Sequence, residues 1–111
     1  MLRSTCGEHC GDSDYEFNSP WSVASLFDQT LPHVLVADTN NQRIQCFSIE
    51  YDYQFRFRYT LMMKQKPYYL ATSKRHFAIS CEKGLIYTFL AKDRTLLATV
   101  DFNKICSRKS K

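Results

Sequence analysis

The chain lacks any apolar run close to the roughly 20 residues that a helix needs to cross a bilayer. Its opening segment, MLRSTCGEHCGDSDYEF, also lacks the hydrophobic stretch of a signal peptide. These absences argue against a membrane protein and against a secreted one. We therefore expect a soluble protein of the cytoplasm, with no membrane partner.

The chain also lacks an even number of cysteines, since it has five, and it lacks a secretory signal. Both features argue against a framework of disulfide bonds. Cys46 and Cys81 lie in apolar patterns typical of buried thiols. Cys6, His9 and Cys10 could supply three zinc ligands, but no second ligand pair at zinc-finger spacing follows them. We therefore expect neither a metal nor a cofactor.

Acidic residues are scarce in the second half of the chain. Residues 51–111 carry 13 Lys and Arg against four Asp and Glu, a net charge of +9, whereas residues 1–50 carry −5. A basic surface of this kind attracts anionic partners such as RNA. The alternative is that these cations lie on solvated strand faces.

Helical periodicity is hard to find, and eight short segments are instead rich in β-branched and aromatic residues and separated by polar turns. They read WSVASL, VLVAD, RIQCFSI, QFRFRYTL, YYLATS, HFAIS, LIYTFL and TLLATVDF. This spacing predicts an all-β, antiparallel architecture.

The strand-like segments recur in the same order. PWSVA at residues 20–24 corresponds to PYYLA at residues 67–71, and VLVADTNNQRIQCF at 34–47 corresponds to FAISCEKGLIYTF at 77–89. Each unit is then a four-stranded meander of about 40–47 residues, the period of a β-propeller blade.

We therefore predict two blades, the first at residues 17–59 and a more degenerate one at residues 60–103. Residues 1–16 are expected to be the end of a preceding blade and an inter-blade linker. Residues 104–111 are expected to be a basic tail.

The stretch VLVADTNNQRIQCF predicts a buried strand, a tight polar turn and a return strand. Residues 34–37 are apolar at every position, so both faces of this strand are expected to be buried. Asp38 and Arg43 flank the turn and could form a charge-assisted hydrogen bond that fixes it. Later, Arg56 and Arg58 alternate with aromatic residues, as expected for an outer strand whose charges block edge-to-edge pairing.

This stretch closely resembles the core of the NHL repeat, and the segment before it resembles that family's inter-blade linker. The core residues that match are Asp38, Asn41, Arg43, Ile44 and Phe47, and the linker residues are Gly7, Gly11, Phe17, Pro20, Val23 and Ala24. The second unit keeps Pro67 and Ala71, but Cys81 replaces the aspartate and no arginine follows.

The resemblance implies a six-bladed β-propeller of the kind found in tripartite-motif proteins with RING-type ubiquitin-ligase activity. Such a propeller recruits protein partners or binds RNA and is not itself catalytic. We therefore expect a protein-interaction platform that recruits substrates, and no enzyme, because a ligase would need a RING domain that this sequence lacks. The alternative is an RNA-binding NHL module in post-transcriptional regulation.

Two blades are fewer than six, so we expect either a fragment of a longer chain or self-association into a ring. An enzymatic propeller of lyase type is disfavoured, because the inner strands WSVASL and YYLATS carry no acid or histidine.

A partner is expected on the face formed by residues 38–43, 60–67 and 81–85, where cations and aromatics suit single-stranded RNA. The candidate partner residues are Asn40, Asn41, Gln42, Arg43, Lys64, Lys66, Tyr68 and Lys83. The predicted structural residues are Phe17, Pro20, Asp38, Arg43, Ile44, Phe47 and Pro67. Two alternatives remain open: the asparagines only shape the turn, and the basic loop at residues 72–76 on the other face serves instead.

Overall fold

The computed structural model describes residues 11–27 and 31–104. They form two four-stranded antiparallel sheets, each a meander in which strands that follow one another in the chain are paired. The first sheet contains β1 (Pro20–Phe27), β2 (Pro32–Asp38), β3 (Arg43–Ile49) and β4 (Phe55–Met62), and the second contains β5 (Pro67–Thr72), β6 (His76–Cys81), β7 (Leu85–Leu90) and β8 (Leu96–Asp101).

The predicted all-β architecture of two meanders is thus confirmed. β4 continues to Met62, whereas the boundary between the two units is predicted after residue 59. The candidate zinc ligands, Gly7 and the tail beyond Lys104 lie outside the described residues.

Each sheet turns between its second and third strands through a short 3-10 helix. In the first sheet this helix, Thr39–Asn41, ends at Gln42, whose φ of 52° is left-handed. In the second, Glu82–Gly84 contains Lys83 at φ 66° and Gly84 at φ 76°. Glycine adopts such a conformation without steric cost, which suits it to the shortened second turn.

The core lies between the two sheets. The first sheet contributes Leu26, Leu35, Ala37, Ile44 and Cys46, and the second contributes Phe77, Ile79, Cys81 and Phe89. The rings of Phe77 and Phe89 stack with centroids 5.3 Å apart. The sheets therefore stabilise each other chiefly by burying apolar side chains at their interface.

The prediction that both faces of β2 are buried is wrong for one face. Leu35 and Ala37 are fully buried, whereas Val34 and Val36 are only half-buried. In the described residues the second sheet covers the Leu35 side, and no sheet covers the other. Val23 of β1 lies opposite Val36 and is 64% exposed, which extends the uncovered face.

The innermost strands of the two sheets lie side by side and are joined by hydrogen bonds. The Thr39 hydroxyl donates to the Pro67 carbonyl at 2.6 Å, and this bond is buried. The Thr72 hydroxyl donates to the Ser25 carbonyl at 2.7 Å. These bonds fix the two sheets at both ends of their contact.

Strand β4 lies at the outer edge of the first sheet, as predicted. Arg56 and Arg58 are exposed, while the aromatic residues between and beside them are half-buried. Both guanidinium groups approach Glu50, at 3.6 and 3.2 Å. The charges therefore lie on a solvated edge, where they disfavour pairing with another strand.

Replacing Ile79 by alanine tests the interface between the sheets. The change removes a fully buried side chain, so we expect the free energy of unfolding to fall by about 2–5 kcal/mol. Urea denaturation followed by the fluorescence of Trp21 measures it. The control Val23→Ala, at an exposed position, should change stability by less than about 0.5 kcal/mol. Equal losses in both variants would contradict the assigned core.

Candidate partner-binding face

A buried ion pair closes the turn between β2 and β3. The Arg43 Nε donates to Asp38 Oδ2 at 2.6 Å, and both side chains are buried. Asp38 also accepts from the Asn18 backbone N–H at 2.7 Å and from the Asn41 side-chain amide at 2.9 Å. The predicted charge-assisted bond is confirmed, and the hydrogen bonds around it offset the cost of desolvating the two charges.

Arg43 also holds the segment that precedes β1. Its two terminal nitrogens donate to the backbone carbonyls of Asp12, Ser13 and Glu16, at 2.7, 3.0 and 2.9 Å. The Gln45 amide donates to the same Glu16 carbonyl at 2.7 Å. The linker is thereby fastened across the side of the first sheet that faces away from the second.

Aromatic packing completes this attachment. The Phe17 ring meets Phe47 edge-on with centroids 6.0 Å apart, and the Tyr15 ring lies 5.3 Å from Phe47. The Tyr15 hydroxyl accepts from the Phe57 backbone N–H at 2.8 Å. The Phe47 ring is therefore buried against the linker rings of Tyr15 and Phe17, as expected of a structural residue.

The three predicted loops do lie at one end of the two sheets. Arg43 is opposite both Asp38 and Met62, and Pro67 is opposite Cys81. The Met63 N–H donates to the Gln42 carbonyl at 2.8 Å, and the Glu82 N–H donates to the Lys66 carbonyl at 2.9 Å. We call this end, with residues 38–43, 62–67 and 81–85, the turn face.

Two of the predicted partner residues point inward and not to this face. Arg43 is buried, with four donors committed to internal acceptors. Asn41 donates to the Gly11 carbonyl at 2.7 Å as well as to Asp38. Their role in binding a partner is corrected to a structural one, because their polar atoms already hold the turn and the linker.

Two further candidates are partly committed to the turn. Asn40 is exposed, and its amide donates to the Ser19 hydroxyl at 3.0 Å. Gln42 is half-buried, and its amide donates to the Lys64 carbonyl at 3.0 Å. Both side chains fix the path of neighbouring segments. Their first role is therefore to stabilise the turn, and contact with a partner comes second.

The lysines of the turn face carry its accessible charge. Lys64 and Lys83 are exposed and Lys66 is half-buried. Within residues 11–27 and 31–104, all three ion pairs involve arginines, so these ammonium groups are not neutralised by a carboxylate. Two exposed lysines therefore remain available to a partner at this end of the molecule.

An aromatic pair lies beside these lysines. Tyr68, the candidate at the start of β5, is half-buried against Trp21, with centroids 4.9 Å apart and planes at 88°. Trp21 is 53% exposed, and Tyr69 and Met62 are also exposed. Trp21 was not predicted as a partner residue, although the match of PWSVA to PYYLA places it at the position equivalent to Tyr68.

Residues 17–47, from Phe17 of the linker to Phe47 of β3, match the family model of the NHL repeat. The chain carries an NHL repeat. Its two sheets are blades of an NHL-type β-propeller, a module that in general mediates protein interactions and is not catalytic. No match was found among curated proteins.

The NHL match ends before the second blade, in agreement with its divergent turn. Cys81 occupies the end of β6, where the first blade has Asp38 at the end of β2. Burial raises the pKa of the Cys81 thiol to about 11, with a smaller contribution from Glu82. The thiol is therefore protonated at neutral pH and is a poor nucleophile.

The remaining structural residues of the NHL motif differ in their exposure. Ile44 and Pro67 are fully buried. Pro20 is exposed and begins β1 opposite Asp38, so it acts on the backbone at the strand end and not in the core.

The described part of the chain contains no cluster of three metal-ligating side chains, and none of its helices is long and apolar enough to cross a membrane. His33 and His76 lie in strands of different blades. Cys6, His9 and Cys10 lie outside the described residues.

Removing the Arg43 side chain should destabilise the first blade strongly. In Arg43→Met the Asp38 carboxylate stays buried without its cation, so we expect a loss of about 3–5 kcal/mol in the free energy of unfolding. Arg43→Lys should recover only part, because an ammonium lacks the planar fork that reaches several acceptors. Urea denaturation measures both, with the exposed Lys83→Met as control. A loss of equal size in the control would contradict the structural role of the pair.

The Cys81 thiol should make stability depend on alkaline pH. Its pKa is higher in the folded chain, so its contribution is complete below pH 9.0 and is lost as the pH rises towards about 11. Urea denaturation across this range should show a steeper fall for wild type than for Cys81→Ala. Parallel curves would show that the thiol ionises equally in both states.

Proposed function

We propose that the two blades belong to a propeller that recruits a protein partner through the turn face. The observation that carries this proposal is the exposed Trp21 ring, held edge-on by Tyr68 beside lysines without an acidic partner. Trp, Tyr and Met are enriched among the residues that dominate protein interfaces. A fixed aromatic ring loses little conformational entropy on binding.

The rigidity of this anchor supports the same proposal. Trp21 and Tyr68 lie on the inner strands of different blades, and the nearby buried bond from Thr39 to the Pro67 carbonyl joins those blades. The partner would therefore meet a preformed surface that spans the boundary between blades.

We further propose that this platform is the substrate-recruiting part of a tripartite-motif-like ubiquitin ligase in the cytoplasm. The motivation for this proposal is the resemblance of residues 34–47 to the NHL repeats that occur in RING-type tripartite-motif proteins. Ubiquitin transfer itself would be carried out by a RING domain outside these residues.

A second candidate function is the binding of single-stranded RNA on the same face. The exposed Lys64 and Lys83 are able to pair with phosphates, and the exposed rings of Trp21 and Tyr69 are able to stack on bases. The net charge of +9 in residues 51–111 supports an anionic ligand such as RNA.

Replacing Trp21 by alanine tests the protein-recruiting function. Cross-linking in cells followed by mass spectrometry identifies the partner of the wild-type protein, and its affinity is then measured by calorimetry. We expect Trp21→Ala to weaken binding about tenfold or more, as for a central aromatic anchor. Tyr53→Ala is the control, because Tyr53 is 85% exposed in the turn between β3 and β4, at the other end of the sheet. Equal binding by Trp21→Ala would contradict the proposed anchor.

Charge reversal tests the RNA alternative. We expect Lys64→Glu combined with Lys66→Glu to weaken binding of labelled oligouridylate about tenfold or more and to reduce the slope of log K against log salt by about 1.4 units, since each phosphate contact with a single strand contributes about 0.7. Lys74→Glu combined with Arg75→Glu, which makes the same change of charge on exposed residues at the opposite end of the sheets, is the matched control. If the double variant binds as wild type does, the turn face is not an RNA site.

A further inference from the structure

A cleft of about 1080 Å³ opens between the two blades at the end opposite the turn face. The end of β1 and the outer strand β4 line it from the first blade. The turns at residues 72–75 and 90–94 line it from the second. Its volume is comparable with the roughly 300–1,000 Å³ of small-molecule sites. None of the candidate partner residues lies here, but the alternative basic loop at residues 72–76 does.

The rim of this cleft is strongly cationic. Among the residues that the structure describes, the lining includes no Asp or Glu, and its five Lys and Arg residues are Arg58, Lys74, Arg75, Lys92 and Arg94. Among these, Arg58 is paired with Glu50 at 3.2 Å. The nearby Asp93 carboxylate accepts from the Thr95 N–H and hydroxyl, at 3.1 and 2.6 Å. A net positive charge therefore faces any molecule that enters.

The floor of the cleft is aliphatic. Leu26 is buried at the bottom, and Leu90 and Ala91 are half-buried beside it. An apolar side chain placed there would gain the free energy of leaving water without displacing a polar partner. Cations at the rim and aliphatic groups at the floor together fit a ligand that is anionic outside and apolar at one point.

The walls of the cleft are fixed before any ligand binds. The Ala91 N–H donates to the Arg75 carbonyl at 2.8 Å, which joins the two turns of the second blade. The Arg94 N–H donates to the Leu90 carbonyl at 2.8 Å, and the Arg94 guanidinium lies 4.2 Å from the centroid of the Tyr59 ring. Because these walls are already ordered, binding of a ligand costs little conformational entropy of the protein.

We propose that this cleft binds an acidic peptide segment that inserts one apolar side chain between the blades. Charge complementarity selects the acidic residues, and the aliphatic floor selects the anchor. A nucleic acid fits less well, because bases need an open aromatic face to stack on. The Tyr59 ring face is covered by Arg94, so Phe27 is the exposed aromatic ring of the lining, and one ring cannot stack on successive bases.

The test uses the full chain and three fluorescein-labelled probes in anisotropy titrations. The first is a heptapeptide of Asp and Glu with a central Leu, the second has Ser in place of that Leu, and the third is a heptauridylate. We expect wild type to bind the Leu peptide about tenfold more tightly than the Ser peptide. We expect Arg75→Glu combined with Lys92→Glu to weaken binding of the Leu peptide about tenfold or more.

Two matched variants separate charge from apolar contact. Lys64→Glu combined with Lys83→Glu makes the same charge change on the turn face and should alter binding of the Leu peptide less than about twofold. Ala91→Leu partly fills the floor without changing charge, and should bring the two peptides to nearly equal affinity. Far-ultraviolet circular dichroism confirms that each variant keeps its strands.

Three results would overturn the proposal. In the first, Arg75→Glu with Lys92→Glu binds the Leu peptide as tightly as wild type. In the second, the Leu and Ser peptides bind wild type equally. In the third, heptauridylate binds more tightly than either peptide and is lost in the same variant, which makes the cleft a nucleic-acid site. None of these results bears on Trp21 at the turn face, so the two proposals fail separately.

Discussion

The order of the first blade depends on one buried guanidinium. Arg43 begins β3, is neutralised by Asp38 across the turn, and uses its other nitrogens to hold the linker that leads into β1. One side chain therefore joins the turn between β2 and β3 to a linker that lies 27 to 31 residues earlier in the chain. Because both charges are removed from water, the arrangement is favourable only while every hydrogen bond of the group is made. Loss of the Arg43 side chain would consequently destabilise both the turn between β2 and β3 and the path of the linker.

The second blade keeps the meander but not this device. Cys81 cannot bind a cation as Asp38 does, and the turn that follows relies on left-handed Lys83 and on Gly84. The Asn103 amide donates to the Lys83 carbonyl at 2.8 Å and ties that turn to the end of β8. The second blade is otherwise stabilised by the apolar side chains that it buries against the first blade. The second blade therefore depends on its contact with the first blade more than on its own turn. This agrees with an NHL match that is confined to the first blade.

Much of the fold could be predicted because strand period, turn chemistry and the repeat are local properties of the sequence. The strands and the pairing of Asp38 with Arg43 are of this kind. The half-exposure of Val34 and Val36 depends on which face a neighbouring sheet covers, which no local pattern records. The same holds for Trp21, whose partner Tyr68 lies 47 residues away, and for the cleft. The sequence predicts both a partner-binding and a structural role for Arg43, because its position in the motif does not show that its guanidinium contacts three backbone carbonyls.

Residues 12–14, at the start of the linker, are held through their backbone and not through their side chains. Arg43 and Gln45 donate to carbonyls, while the side chains of Asp12, Ser13 and Asp14 are exposed. Mutation can therefore change these three residues freely during evolution, provided that the chain follows the same path. Linkers of very different sequence can then enter the same blade. The constraint on the sequence is therefore concentrated in the blade residues that donate to these carbonyls, Arg43 and Gln45.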